Sequence, residues 1–464
     1  MTLRGLMKLM NGLDGVALGP GDTGYDEARS GVQRSYLHRP SVIVRAEGVA
    51  DVARAVRHAV EHGLAVAVQA TGHGLNVPTE GGVLIDTSRM SGVRVDPAAR
   101  TAWAEAGTRW EKVIDAAGEH GLAPLSGSSP DVGVVGYILS GGLGLLGRTF
   151  GYAADHVRRI DVVTADGEPR TVTPGDELFW ALRGGGGNFG VVTGIEFDLF
   201  PVDLIYGGGL YFDTDLLPTV FKTYREWTET VPDTMGSSIG LIPMPDVPAV
   251  PAPLRGRHLA HVRIAYVGTV QNGERLVKPL RALGPRIVDT LGEMPFTASG
   301  TIHNEPKQPR NFLCSNAMLS EFDASAPDAL LDLVGPGAGV FGVVQVNHLG
   351  GALTGLPEVA NAVGHRDASH VLRLVTLPQG PARDAAHETA DRVMGAVKPW
   401  TVGRAPGFVQ GDQGAGELAR ECYEPDTFER LASLKAAHDA RNTFSCNVNI
   451  HPADTTSPRD AHVT

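Results

Sequence analysis

The chain has 464 residues, 42% of them hydrophobic and 20% charged, with a net charge of −12. At roughly 150 residues per domain this makes two or three globular domains with ample core, which excludes a disordered or fibrous chain. Acidic residues outnumber basic ones and there is no Lys/Arg tract, so nucleic acid is not an expected partner.

In chain order, residues 1–13 read as a short helix and 19–24 as a loop. Clear α/β texture follows: a strand at 42–44, a helix at 49–62 and strands at 65–69 and 83–86. That helix carries Val52, Ala55, Val56, Ala59 and Val60 on one face and is closed by Gly63. A strand at 101–106 leads to a helix at 109–120 ended by Gly121. Strands at 160–164 and 169–172 flank Asp166-Gly167, a strong hairpin signal, and 189–200 reads as one long strand. Past Pro201 the texture changes. A helix at 216–231 precedes strands at 262–267, 341–348 and 371–377, with helices at 271–283 and 381–397 between them. Residues 243–253 form a Pro-rich surface loop, and a last helix at 427–437 precedes the apolar, asparagine-rich stretch 442–450.

The three cysteines, Cys314, Cys422 and Cys446, form no CxxC pair, which fits a reducing cytoplasm rather than a disulfide scaffold. No apolar run is long enough for a membrane span, and the first residues lack the apolar core of a signal peptide. Glycine is the odd component: 59 residues, nearly twice an average usage of ~7%. The excess concentrates between Gly72 and Gly190 without a collagen period, so backbone there must turn with positive φ or approach something closely.

Several generic motifs match but fail on context. Gly142-x-Gly144-x-x-Gly147 and Gly185-x-Gly187-x-x-Gly190 fit the dinucleotide fingerprint, yet the second runs into the β-branched strand Val191-Val192-Thr193 instead of a helix. Gly236-x-Ser238-x-Gly240 resembles a hydrolase elbow, but the serine leads into Ile239-Gly240-Leu241-Ile242, a strand. There is no GK[ST], no HExxH and no spaced Cys/His set, so no metal site is expected.

What survives is a set of four glycine-dense loops. The strand ending at Gln69 feeds Ala70-Thr71-Gly72-His73-Gly74, whose small residues bare backbone N–H groups as a nest for a pyrophosphate. The others are Ser126-Gly127-Ser128-Ser129-Pro130-Asp131-Val132-Gly133, then Gly136-Tyr137-Ile138-Leu139-Ser140-Gly141-Gly142, and residues 183–190. One extended, flat, anionic ligand explains all four.

With these loops, the stretches LIDTSRM, AGTRW, SSPDVGVVGYILSGGLGLLGRTFG, RGGGGNFGVVTGIEFDLFPV and the closing NTFSCNVNI resemble the FAD-linked oxidases of the vanillyl-alcohol-oxidase (PCMH) type, specifically the berberine-bridge-enzyme-like branch. The likeness is strong over 25–201, moderate over 340–378 and 420–452, and weak between. It implies an α+β fold: a two-lobed PCMH-type FAD-binding domain over 1–200, a substrate domain of antiparallel β-sheet backed by helices over 201–400, and a segment 401–464 completing the FAD domain. It further implies a covalent FAD on His73, with Gln69, Ala70, Thr71, Gly72, Gly74, Ser126, Gly127, Ser128, Val132, Gly133, Gly136, Tyr137, Gly141, Gly142, Gly190 and Val192 around the cofactor and Asn447 and Asn449 at its pyrimidine edge. Relatives often add a second link through a cysteine where this chain has Ser129, so a single bond is implied. Val132 stands where valine accompanies oxidases.

The acid–base positions depart from the resemblance. Where relatives carry Tyr-x-Asn, this chain reads Phe408-Val409-Gln410, and where others carry a glutamate it has Asn347, an amide that cannot act as a base. His348 alternates to the other face of its strand. Substitute groups are Tyr137, His303, Tyr206 and Tyr211, with Gln410 in the asparagine's place. The implied activity is two-electron oxidation of a small natural product, polyketide-like, aromatic or glycosylated, with O2 as acceptor, as in similar bacterial secondary-metabolism enzymes. The alternatives are a flavin-dependent oxygenase or oxidative cyclase, a non-redox cyclase that retains flavin, and a catalytically dead flavin-binding protein. The expected protein is cytoplasmic, a monomer or homodimer, and without nucleic-acid or membrane partners.

Overall fold

The computed structural model describes residues 12–75, 77–338, 341–377, 383–411 and 416–454. The helix expected at 1–13 and the start of the one at 381–397 lie outside these residues. Three sheets form in chain order. The first contains β1 (Val16–Leu18), β2 (Val42–Arg45), β3 (Val66–Gln69) and β4 (Val83–Asp86) in the order β1-β2-β4-β3. β2 and β3 run parallel to β4, and their unbroken apolar runs suit strands covered on both faces. Helix α1 (Val49–Glu61) lays Val52, Ala55, Val56 and Ala59, all fully buried, against this sheet.

The second sheet is antiparallel: β5 (Val93–Asp96), β6 (Thr101–Glu105), β7 (Val157–Val163), β8 (Pro169–Val172) and β9 (Val191–Asp198), ordered β5-β6-β9-β7-β8. Helices α2 (Trp110–Gly118), α3 (Val134–Leu139) and α4 (Glu177–Leu182) pack on it around the fully buried Trp110. One expected loop is corrected here: Gly136 and Tyr137 lie within α3, so the third glycine-dense stretch is a short helix followed by a turn.

The third sheet has nine strands: β10 (Leu204–Phe212), β11 (Met235–Pro243), β12 (His258–Tyr266), β13 (Arg286–Asp289), β14 (Gly292–Pro295), β15 (Leu313–Leu319), β16 (Gly342–His348), β17 (His370–Thr376) and β18 (Thr401–Gly403). Its main path is β13-β10-β12-β11-β16-β17-β15-β18, with β14 paired to β10. Period-two alternation gives it two unlike faces. Leu210, Val262, Ile239, Val346 and Leu372 pack against α5 (Leu217–Thr228), α7 (Ala326–Val334) and α8 (Arg383–Val397), while α6 (Val270–Arg281) adds Val277 and Leu280 to the same core. The opposite face presents Tyr211, His261, Arg263, Ser238, Gln345 and Arg373, and its cross-strand partners include Ser238↔Arg263, Ser238↔Asn347 and Gln345↔Arg373.

The run Gly207-Gly208-Gly209 lies inside β10 because neighbours fill the missing side chains: a Cβ on Gly209 would stand 2.2 Å from His261 Nε2. Last, α9 (Pro425–His438) and the segment after it return to the first two sheets, where Leu431, Val448 and Ile450 enter the core of the second and Phe444 that of the first. Among the described residues no helix is long and apolar enough to cross a membrane.

Candidate active site

A cavity of about 860 Å3 opens between the glycine-rich loops of the first two sheets and the polar face of the third, within the ~300–1,000 Å3 typical of ligand sites. Its walls bring together residues 69–74, 127–129, Val132, Gly133, Gly136, Tyr137, Gly142, Gly190 and Val192 from one side. Residues 303–306, Arg263, Gln345, Asn347 and Arg373 face them, and Phe408, Gln410 and Asn447 close the edges. Three sequence-derived positions, Ser126, Gly141 and Asn449, sit behind this lining; Ser126 and Gly141 instead accept backbone hydrogen bonds from Leu145 and Ala154.

The histidine loop is pinned from below. Gln69 donates from Nε2 to the Ala28 carbonyl (3.1 Å), and the N–H groups of Val32 and Gln33 donate to the carbonyls of Thr71 and Gly72 (3.1 and 3.0 Å). Gly72 takes φ +58°, and a Cβ on it would lie 2.4 Å from Gly31 Cα, so two backbones touch where only glycine fits. His73 Nδ1 is buried without a partner. Burial holds the imidazole pKa below the usual histidine value despite an opposing pull from Glu305, so the ring is neutral with a lone pair available.

Next to it, Ser128 Oγ donates to Glu305 Oε1 at 2.7 Å. Burial pushes the Glu305 carboxyl up, but the Arg373 guanidinium, the Ser128 hydrogen bond and the Arg263 guanidinium outweigh it and hold its pKa below the usual carboxylate value. Ser129 is buried on the cavity wall. Tyr137 is a pillar rather than a base: its hydroxyl donates to the Leu125 carbonyl (3.1 Å) and its ring meets Trp110 edge-on. Gly127, Gly142 and Gly144 all crowd that ring or hydroxyl, and burial drives the phenol pKa far up.

The last glycine loop is clamped by the C-terminal segment. Lys435 Nζ, fully buried, donates to Asn188 O (2.7 Å), Asp439 Oδ2 (2.7 Å) and Phe444 O (3.1 Å). Asn188 in turn donates to Val448 O and accepts from Ile450 N–H, which sets Asn447 and Val448 on the cavity wall.

On the opposite wall, Arg373 Nη2 donates to Gln345 Oε1 (2.8 Å), whose Nε2 donates to Asn347 Oδ1 (2.7 Å). Asn347 is thus an acceptor tied into a chain of amides. The Phe408 ring lies 4.3 Å from the Arg373 guanidinium. Gln410 is buried beside Gly74 with Oε1 unpartnered. His303 is buried with its pKa depressed by desolvation and by Arg263 and Arg373. Tyr206 is removed from consideration: it lies off the cavity and donates to Glu274 (2.8 Å). Tyr211 does line the cavity and stacks on His261 at 3.8 Å. His348 bonds Arg148 and stacks on His370, as strand alternation implies, and also reaches the cavity edge. Although no cysteine neighbours Ser129 in sequence, Cys314 and Cys446 both line the cavity, and burial raises the Cys314 thiol to about 11.

Residues 40–173 match the FAD binding domain family. Over 95% of this chain and 97% of the relative, the sequence is 28% identical to (R)-6-hydroxynicotine oxidase of Paenarthrobacter nicotinovorans. The crystal structure of 6-hydroxy-D-nicotine oxidase from Arthrobacter nicotinovorans superposes with a TM-score of 0.83 at 26% identity, covering 94% of this chain and 98% of that one. In fold alone, Physcomitrella patens BBE-like 1 is similar (TM-score 0.82, 20% identity, 96% and 99% covered). The chain carries an FAD binding domain and is an FAD-dependent oxidoreductase.

The residues of this FAD-linked oxidoreductase fit the cofactor. One wall is backbone, with Gly72, Gly142, Gly186 and Gly190 at positive φ, a geometry that suits N–H groups to an anion. Buried acceptors without protein partners, His73 Nδ1, Gln410 Oε1, Asn447 Oδ1 and Asn449 Oδ1, stand in or just behind the same wall. Residues 69–74 and 127–142 with Gly190 and Val192 would hold FAD. Sequence reasoning missed Glu305, Arg263 and Arg373. Arg263 alone carried a weak signal: with His261 it sets polar residues at alternate positions in a strand that is otherwise apolar.

Proposed function

We propose that this FAD-linked oxidoreductase is an oxidase that carries FAD on His73 alone and oxidises a small organic molecule at an alcohol, hemiacetal or activated C–H, with O2 as acceptor. FAD held by residues 69–74 and 127–142 would supply two-electron redox chemistry: a hydride lost by the substrate would reach O2 together with one further proton as H2O2. The observation that carries the reading is the His73 imidazole on the cavity wall, held neutral by burial with its Nδ1 buried and unpartnered. The whole-chain similarity to an oxidase supports it.

The chain's own residues bind and orient. Ser128 holds the Glu305 carboxylate facing the cavity, where it accepts a hydrogen bond from a substrate hydroxyl and fixes its angle. Phe408 and Tyr137 exclude water from one side, and the Arg373–Gln345–Asn347 chain shapes the floor. Burial raises the thiols of both Cys314 and Cys446, so each stays neutral and a poor nucleophile, which leaves one attachment point. We place the enzyme in a reducing cytoplasm, as a monomer or homodimer acting on a small molecule.

Acid-precipitated protein is expected to stay yellow, and His73→Ala to release its flavin to the supernatant. Peptide mapping should find one flavinylated peptide; a colourless pellet from the intact protein, or a second flavinylated peptide, refutes the attachment. The second reading, an oxygenase or oxidative cyclase, draws on Phe408 and Asn347 standing where a base would act. Turnover under 18O2 separates them: label in peroxide supports the oxidase, label in product the oxygenase. Product formed anaerobically with the flavin reduced supports the non-redox cyclase.

A further inference from the structure

Among the described residues that line the cavity, Glu305 is the one carboxylate, against Arg148, Arg263, Arg310, Arg373 and Arg404. Three of these arginines are engaged elsewhere. Arg148 pairs with Asp233 and binds the Met235 and Leu349 carbonyls, Arg404 pairs with Glu421, and Arg310 donates to the carbonyls of Pro306 and Gln308. Arg263 and Arg373 form no ion pair among the described residues.

Arg263 is 5% exposed. Its Nε donates to His261 Nδ1 (3.0 Å), while Nη1 is buried with no partner. The guanidinium has room because Gly240 faces it from the next strand, where a Cβ would lie 2.9 Å from Nη1. Arg373 spends Nη2 on Gln345 and lies over Phe408, leaving Nε buried and unpartnered. Both side chains stand on the polar face of the third sheet, across the cavity from the glycine wall. A buried guanidinium without a counter-charge is unfavourable, and an incoming oxyanion would supply one through charge-assisted hydrogen bonds.

We propose that Arg263 and Arg373 form an oxyanion-binding floor, so that the substrate carries an acidic oxygen group, a carboxylate or an ionised enol or phenol, directed at this face. The inference rests on the reading of the cavity as the substrate site of an FAD enzyme. It also accounts for Phe408 and Asn347: a substrate held in its ionised form needs no protein base at those positions. Glu305 balances one of the two positive charges, and its carboxylate repels a second anion from the Ser128 side, which directs the acid toward the sheet.

The test is calorimetric titration of the flavin-loaded protein with a panel of aromatic and aliphatic carboxylates and phenols, each beside its neutral amide or methyl ether. The acids should bind at least tenfold more tightly than their neutral partners, and Arg263→Gln or Arg373→Gln should remove 10- to 100-fold of acid affinity, at least tenfold more than either costs the neutral compounds. Arg263→Lys should retain part of the preference, which guards against a variant that misfolds, and flavin content reports that each protein is loaded. Equal affinity for acids and neutral partners, no acid binding at millimolar concentration, or equal weakening of both classes in the glutamine variants overturns the proposal. Protein that carries no flavin would instead refute the oxidase reading on which it rests.

Discussion

At the scale of single residues the site is made by what is missing as much as by what is present. Gly72 is the sharpest case, since its φ of +58° and its approach to Gly31 leave no space for a Cβ. Gly72→Ala should destabilise the protein by about 2 kcal/mol or more and displace His73, so that covalent flavin measured after denaturation falls well below one per chain. The cavity contacts of Gly74, Ser129, Val132 and Tyr137 lie in the glycine-dense stretches that the composition singled out, whereas Gln410 and Asn447 were expected only through the family resemblance. Glu305 was not legible. It follows a short 3-10 turn at Phe296–Thr301 in a stretch without periodicity, and its importance arises from Ser128, Arg263 and Arg373, residues distant in sequence and near only in space. Tyr137 shows the converse: a tyrosine in a glycine loop suggested chemistry, and the surrounding glycines prove to be clearance for a packed ring.

At the scale of elements, hydrophobic periodicity placed α1, α2, α5, α6 and α9 and most strands of the first two sheets to within a few residues. β10 escaped it because Gly207, Gly208 and Gly209 break its apolar run, and β15 because Ser315 and Asn316 break its own, which erases the apolar signature of a buried strand. The element with the most at stake is α9. Its Lys435 is fully buried and joins Asp439 to the backbone of two other segments. Lys435→Met strands the Asp439 carboxylate, which still accepts the N–H groups of Thr443 and Phe444. A loss of about 3–5 kcal/mol is expected in denaturant unfolding, and the double change Lys435→Met with Asp439→Asn should recover part of it.

At the scale of the whole molecule, several histidines are buried neutral. Burial lowers His38 to about 4 and His370 to about 3, and holds His261 and His303 well below the usual value. The unfolded chain therefore binds more protons than the folded one once the pH drops below about 6.5, so stability is complete above that value and is lost toward the folded-state pKa values. Each such histidine contributes about 1 kcal/mol per pH unit in that window. Thermal melts should show Tm flat from about pH 7 to 8 and falling steeply from about pH 6.5 to 5; a flat profile there would contradict the buried neutral state. The return of the chain after residue 425 has a temporal consequence. Val66 N–H bonds the Thr443 carbonyl, and Tyr423 donates to Gly184, so the wall that would receive the flavin is built from both ends of the polypeptide. On the ribosome the histidine loop emerges well before α9 and residues 442–450, and waits for them before its cavity exists. Flavin capture is thereby timed to follow synthesis of that segment, and a chain stalled before α9 should carry none.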